Sequence, residues 1–358
     1  MAAEHVQGVH LERTEERRDE VEALVAACGG RAGVPGLLGD LDRSLHRSWA
    51  PGLKVSRAWT WGRHDNGTRR WWPQGVTWDV PEGEDGPRHV VAVSWYSKNV
   101  AGIGKGTRIS FVDTGARRYR HVLLVVPVLD EHGLTLEPLR AHAGGIVWVG
   151  PYLFVAGTAR GIYAARLDDL VRIPDPAYVE DPAPIGRDGD RLATHGYRYV
   201  LPVRFSYRAH HDDGHEPLRY SFLSLDRTGP DTADLVAGEY GRGQQTTRLA
   251  RFPLDLATHH LVAGEDGYSR PLLLEEQGER GMQGATTLGG RWYVTSSRGP
   301  WGLGTLYVGR PGSFRGHRWA LPFGPEDIAY RPSTDTFWSV TEHPWRRWVY
   351  TVRRSRVD

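Results

Sequence analysis

Glu326 sits in the segment GPEDIAY (324–330), whose counterparts elsewhere in the chain open on Gln74, His142 and Gln283. A second set of equivalent segments closes on Glu239, on Glu342 with His343, and on Tyr96, Tyr240 and Ser297. These residue types can serve three kinds of chemistry. Glu326, Glu239 and Glu342 could furnish a general acid and a general base, with His142 or His343 assisting. Glu326 could instead join the amide carbonyls of Gln74 and Gln283 around a hard cation such as Ca²⁺. The third arrangement is a hydrogen-bonded plug of Gln74, Gln283 and His142 around Glu326, because a buried carboxylate is costly unless paired, protonated or metal-bound. A Ser–His–Asp triad is weaker: Ser297 and His343 can share a face, but no elbow motif surrounds the serine.

Trp71, Trp72, Trp95, Trp301 and Trp345 flank these positions. Flat aromatic walls suit sugars or polycyclic small molecules, and they also serve as wedges between packed sheets. Other motifs are less specific. HHDDGH (210–215) has a metal-like composition but no second ligand set, and reads as a solvated loop. GIGKGT (102–107) fails the phosphate-loop pattern, since Gly106 follows the lysine where Ser or Thr is required. Asn66-Gly67-Thr68 reads as a turn.

The elements that position the candidates come from a repeat. MQGATTLGGRWYVTSSRGPWGLGTLYV (282–308) reads as three short strands, with Gly289-Gly290 making the first reversal. Its first strand recurs at 74–78, 144–148, 221–225 and 326–330, its second at 90–96, 152–158, 234–240 and 336–343, and its third at 107–112, 161–167, 247–253 and 347–352. Fourth strands are predicted at 119–128, 197–207, 268–274 and 317–321. The fifth copy lacks one, and residues 54–61 (KVSRAWTW) supply it from the other end of the chain, closing a ring without exposed edges. The predicted fold is all-β: a five-bladed β-propeller of four-stranded blades over residues 51–358, closed by an N-terminal strand. Residues 1–50 are expected to form a short helix, at 14–28, and a linker at 33–51. The segment 168–195 is expected to be a surface excursion.

Composition narrows the function. Formal charge is +2 and pI about 8.6, which gives no reason to invoke nucleic acid. Cys28 is the sole cysteine, so an intramolecular disulfide is excluded. No stretch is long and apolar enough to span a membrane, and the N-terminus lacks an apolar signal core, so a cytoplasmic location is the default, secreted if a leader has been removed. Lysine occurs only at 54, 98 and 105 among 45 basic residues, the mark of a GC-rich bacterial genome.

WWPQGVT (71–77), HAGG (142–145), MQGATT (282–287), GPEDIAY (324–330) and TEHPWRRWV (341–349) resemble segments of a group of actinobacterial five-bladed propeller proteins, many of them predicted to be secreted. The resemblance implies a fold and an origin, and no activity. The architecture is also similar to that of arabinanase- and invertase-like glycosidases and tachylectin-type lectins, which by itself does not determine function. The expected function is a small-molecule enzyme with a funnel at the axial face, doing acid–base chemistry (hydrolysis, elimination, isomerisation or cyclisation) on a sugar or natural-product scaffold. Glu326, His142, Glu239 and His343 are its catalytic candidates; Gln74, Gln283, Trp72, Trp95, Tyr96, Tyr240, Ser297 and Trp345 are its substrate-binding ones. No cofactor is required in this reading, and Ca²⁺ at the axis is the candidate metal. The alternatives are a non-catalytic carbohydrate or ligand binder, and a scaffold whose N-terminal helix docks a partner. Oligomeric state is not determined by the sequence.

Overall fold

A computed structural model describes residues 6–78, 90–174, 184–189, 191–227 and 232–358. The strands form five antiparallel blades around an axis. Blade one comprises Trp71–Trp78, Val90–Ser97, Thr107–Asp113 and Arg118–Asp130. Blade two comprises Ile146–Val149, Tyr152–Ala156, Ile162–Arg166 and Tyr199–His211. Phe222–Asp226, Ala233–Gly238, Leu249–Asp255 and Leu273–Glu275 make blade three. Met282–Leu288, Arg291–Ser296, Leu303–Arg310 and Ser313–Phe323 make blade four. In blade five, Pro325–Arg331, Thr336–Thr341 and Trp348–Arg353 are completed by Val55–Thr60, which pairs antiparallel with Trp348–Arg353 from Trp348↔Thr60 to Val352↔Val55. The chain ends thus close the ring, as the alternation in 54–61 predicts.

Middle strands such as Val90–Ser97 are apolar along most of their length because both faces are covered, by the blades on either side. Five apolar clusters fill the spaces between blades. Trp59, Trp338, Val340 and Val91 lie between blades five and one, and Phe111, Ile146 and Trp148 between one and two. Phe154, Leu223 and Phe252 lie between two and three, Phe222, Met282 and Val294 between three and four, and Tyr293, Leu306 and Phe337 between four and five. At the axis the inner strands approach backbone to backbone. A β-carbon on Gly145 would lie 1.9 Å from the Leu223 nitrogen, and one on Gly284 would lie 2.5 Å from the Asp327 Cα. Glycine at these two positions is what lets neighbouring blades meet.

The N-terminal region differs from the expected helix and linker. Helix Arg18–Ala27 is present and buries Val21, Leu24 and Val25. Ahead of it, Val9–Arg13 pairs antiparallel with Tyr199–His211 and widens blade two. Residues 33–51 contain the helix Gly33–Leu38 and the strands Arg43–Ser44 and His46–Ser48, which pair with blades one and five. The predicted strand 268–274 splits: Tyr268–Ser269 pairs with Val9–Arg13, and only Leu273–Glu275 joins blade three. His210 and His211 of HHDDGH belong to a strand, with His210 Nε2 2.9 Å from Glu12 Oε2. The excursion 168–195 begins buried, at Leu170, Val171 and Ile173, and Val171–Arg172 pairs with Tyr199–His211; its residues 175–183 and 190 lie outside the described residues. Blades one and two are also joined at their outer edges by parallel pairing of Val200 with Leu123. Among the described residues no helix is long and apolar enough to cross a membrane.

Candidate active site

Three of the five inner strands slip in register near their first residues: between Pro73 and Val76, between Met282 and Gly284, and between Pro325 and Ile328. A bulge turns a side chain out of the regular alternation. Here the slips coincide with Gln74, Gln283 and Glu326, at the starts of their inner strands, with Gln74 and Glu326 buried. Gln283 donates from Nε2 to Glu326 Oε1 at 3.2 Å. Gln74 donates from Nε2 to Glu342 Oε2 at 3.3 Å. Glu342 follows the second strand of blade five, and His343 Nε2 lies 3.6 Å from its Oε1. The site therefore holds two carboxyl groups, each attended by one amide.

Other groups surround the pair. His343 meets the Trp72 ring edge-on at 5.7 Å, and Lys98 Nζ lies 3.2 Å above the Trp72 ring centroid. Tyr96 lies tilted against His142, ring centroids 4.3 Å apart. Arg347, fully buried, donates from Nε to the Glu342 backbone carbonyl at 2.8 Å and from Nη1 to that of Asp65 at 2.6 Å.

Burial, then the charges of Glu342 and Asp327, push the Glu326 carboxyl well above its ordinary pKa. Burial also raises Glu342, against the opposing pull of Lys98, Gln74, Arg347 and Arg242. Burial followed by Lys98, Arg346 and Arg347 lowers His343 to about 4, and burial with Lys98 lowers His142. The shifts favour the neutral form of both imidazoles and the protonated form of Glu326. Two carboxyls with unlike surroundings and two imidazoles are groups that could supply a general acid and a general base.

Beside the Gln283–Glu326 bond, a second axial tie is built on Asp327. Asp327 is fully buried, and its Oδ2 accepts the Val76 backbone N–H at 3.3 Å, tying blade five to blade one. Burial raises its pKa well above the usual range, against the backbone N–H groups of Val76, Ile328 and Ile146. The repeat contained a signal for it: Asp327 falls where three other copies carry Gly75, Gly145 and Gly284.

Several expected residues lie elsewhere or do other work. Glu239 is fully buried and takes Arg248 in a two-point ion pair (3.1 and 2.8 Å), plus the backbone N–H groups of Arg219 and Arg248. Although burial opposes it, Arg248, Thr246 and Arg219 hold its carboxyl below the ordinary value, so it is a structural anion with no free oxygen for catalysis. Trp95 is fully buried among Trp61, His121 and Arg108, and is core rather than a binding wall. Trp71 is likewise buried, against Arg108 and Tyr197. Tyr240 hydrogen-bonds Arg242. Ser297 accepts the Gly299 N–H at 3.2 Å, and no hydrogen bond joins it to His343 among the described residues. Trp345 is exposed and lies over Gly67, and Trp301 is exposed under Arg346.

A second polar cluster escaped the sequence reading. Asp65 is buried at 1% exposure against Arg43, Arg108, Tyr119 and His121, with Ser110 Oγ 2.7 Å from His121 Nδ1. Ser110, His121 and Asp65 form a serine–imidazole–carboxylate chain, but it is sealed in blade one. Burial and Arg108 lower His121 to about 3. The cluster's visible task is to fix Arg347, and through it the loop that carries Glu342.

Among the described residues no group of three or more His, Cys, Asp or Glu is disposed to hold a metal ion. Gln74 and Gln283 present N–H groups, not carbonyls, to the two carboxyls.

No protein-family model matches the chain, and no curated protein matches it. Solved structures similar to it include the β-xylosidase RS223, at 10% identity over 79% of this chain and 92% of that one, TM-score 0.35. A gluconolactonase from Xanthomonas campestris matches at 12% identity over 87% and 98%, TM-score 0.38. The β-xylosidase/α-arabinofuranosidase CoXyl43, from a compost metagenome, matches at 11% identity over 85% and 94%, TM-score 0.36.

Proposed function

We propose that this propeller is an enzyme that performs acid–base chemistry on a sugar or a sugar-like natural-product scaffold at the axial mouth. The observation that carries the reading is the Glu326–Glu342 pair, two carboxyl groups from one blade whose environments differ, each held by a glutamine from another blade. Glu326, protonated, is the general acid. Glu342, partly balanced by nearby cations, is the group that ionises first and serves as base, with neutral His142 and His343 in reach of the same space. Trp72 offers a flat face to a ring when Lys98, which lies on that ring in the free protein, turns to the ligand. A binder with five equivalent pockets would repeat its polar residues from blade to blade, whereas Gln74, Gln283 and Glu326 alternate with unlike residues in the other two copies.

The test is Glu326→Gln assayed on a panel of glycosides, lactones and uronates. The amide is nearly isosteric and can still bond Gln283, so the fold should persist, while turnover should fall on the order of 10²–10⁴-fold. Unchanged turnover in a folded variant would leave Glu326 as a structural group only.

A further inference from the structure

The five loops that join second to third strands open beside Glu342: residues 98–106, 157–161, 239–248, 297–302 and 342–347. Together they carry eight lysines and arginines against two glutamates, in a chain whose formal charge is only +2. One of those glutamates, Glu239, is consumed by Arg248. The other, Glu342, has no ion pair with any lysine or arginine side chain among the described residues; Arg347 reaches it through the backbone carbonyl. Among the described residues the Lys98 side chain lies on the Trp72 face and that of Arg242 on Tyr240, and both act on Glu342 through charge without an ion-pair contact. Arg347 Nη2 is buried without a hydrogen-bond partner. Elsewhere in the molecule comparable cations sit on carboxylates: Arg204 on Asp169 and Glu16, Arg251 on Asp226 and Asp234. The cations in these loops outnumber the carboxylates that face them, and such an excess is unfavourable in the empty protein and becomes favourable when an anion arrives.

We infer that the substrate is an anionic sugar, whose acid group is received by Lys98 and Arg242 while its ring lies against Trp72 and the Glu326–Glu342 pair. This deepens the acid–base reading above and rests on it. Arg347 adds positive potential from beneath.

The experiment measures the binding of sodium D-glucuronate, D-glucose 6-phosphate, D-glucose and sodium sulfate at equal ionic strength, by calorimetry and thermal shift. Wild-type protein should bind at least one of the two sugar acids saturably and D-glucose at least tenfold more weakly. In Lys98→Met and Arg242→Met, affinity for the sugar acid should fall roughly tenfold to a hundredfold each, the loss of one charge-assisted contact, with melting of the free protein unchanged or slightly raised. D-glucose binding as tightly as its acids would overturn the anionic assignment and leave the sugar-enzyme reading intact. Sulfate matching the sugar acids would mark an adventitious ion only, and would also overturn it. So would the absence of binding by either sugar acid. The acid–base reading fails separately, through unchanged turnover in Glu326→Gln, whatever these titrations show.

Discussion

Gly284 and Asp327 meet at the propeller axis so closely that a β-carbon on the glycine would lie 2.5 Å from the Asp327 Cα and 2.6 Å from the Ile328 nitrogen. Both contacts are backbone, so neither can swing aside. Gly284→Ala should therefore force blades four and five apart and cost about 1–3 kcal/mol, the usual range for overpacking. Denaturant unfolding measures this directly. A wild-type midpoint would mean that the inner strands have room to spare.

Asp327 gives the protein a pH dependence of definite sign. Its pKa is raised by burial, as is that of Glu326, so the folded chain holds protons that the unfolded chain releases once pH passes about 4. Where the folded state binds more protons, stability falls as pH rises. The contribution is full below the unfolded pKa and is lost progressively up to the folded one. Asp65 and Glu239, whose pKa values are lowered, act oppositely and lose their contribution as pH falls. Asp327→Asn cannot ionise and can still accept the Val76 N–H. Urea midpoints followed upward from about pH 4 should decline less steeply in this variant than in wild type; parallel curves would exclude Asp327 as a source of the decline.

Much of this architecture is legible in the chain because it is written locally. The strand motif repeats five times, and 54–61 alternates in a way that only a sheet partner explains. Gln74, Gln283 and Glu326 are recognisable as one set because they occupy one repeat position. What the pattern does not carry is pairing across large separations. Nothing near Glu239 announces Arg248 as a two-point partner, and nothing near Arg347 announces the Asp65 backbone carbonyl, 282 positions away. Val9–Arg13 is too short, and too close to a charged run, for alternation to mark it as a strand. Trp95 reads as a wall or as core equally well until its neighbours are known.

The N-terminal region makes a prediction that the linker reading would reverse. Val9, Leu11, Val21, Leu24 and Leu37 are each buried at 1% exposure or less, in the same clusters as the blades. Each such side chain contributes on the order of 1.5–3 kcal/mol by burial. Removing residues 1–40 would also strip Val9–Arg13 from Tyr199–His211 and bare its outer edge to pairing with other molecules. That truncation should lower the melting temperature and raise light scattering on heating, even though the ring-closing strand Val55–Thr60 is kept. A truncated protein that melts like the full chain would show that the extension is independent of the propeller.

Glu342 is the lever on Glu326. After burial, the Glu342 charge is the largest influence holding the Glu326 proton in place. Glu342→Gln removes that charge while leaving an amide that Gln74 can still meet, so the Glu326 pKa should fall toward its ordinary value yet stay above it, because the burial remains. The two groups titrate as a coupled pair in wild type and as one isolated group in the variant. Carbon-detected NMR of side-chain-labelled glutamate reads this without a substrate: the Glu326 carboxyl resonance should titrate at lower pH in Glu342→Gln, and over a narrower interval. In an activity assay the alkaline limb that reports loss of the Glu326 proton should move the same way, on top of the turnover lost with the base. A Glu326 titration that stays in place would mean that the two carboxyls are not coupled, and the proposed acid–base pair would lose its second member.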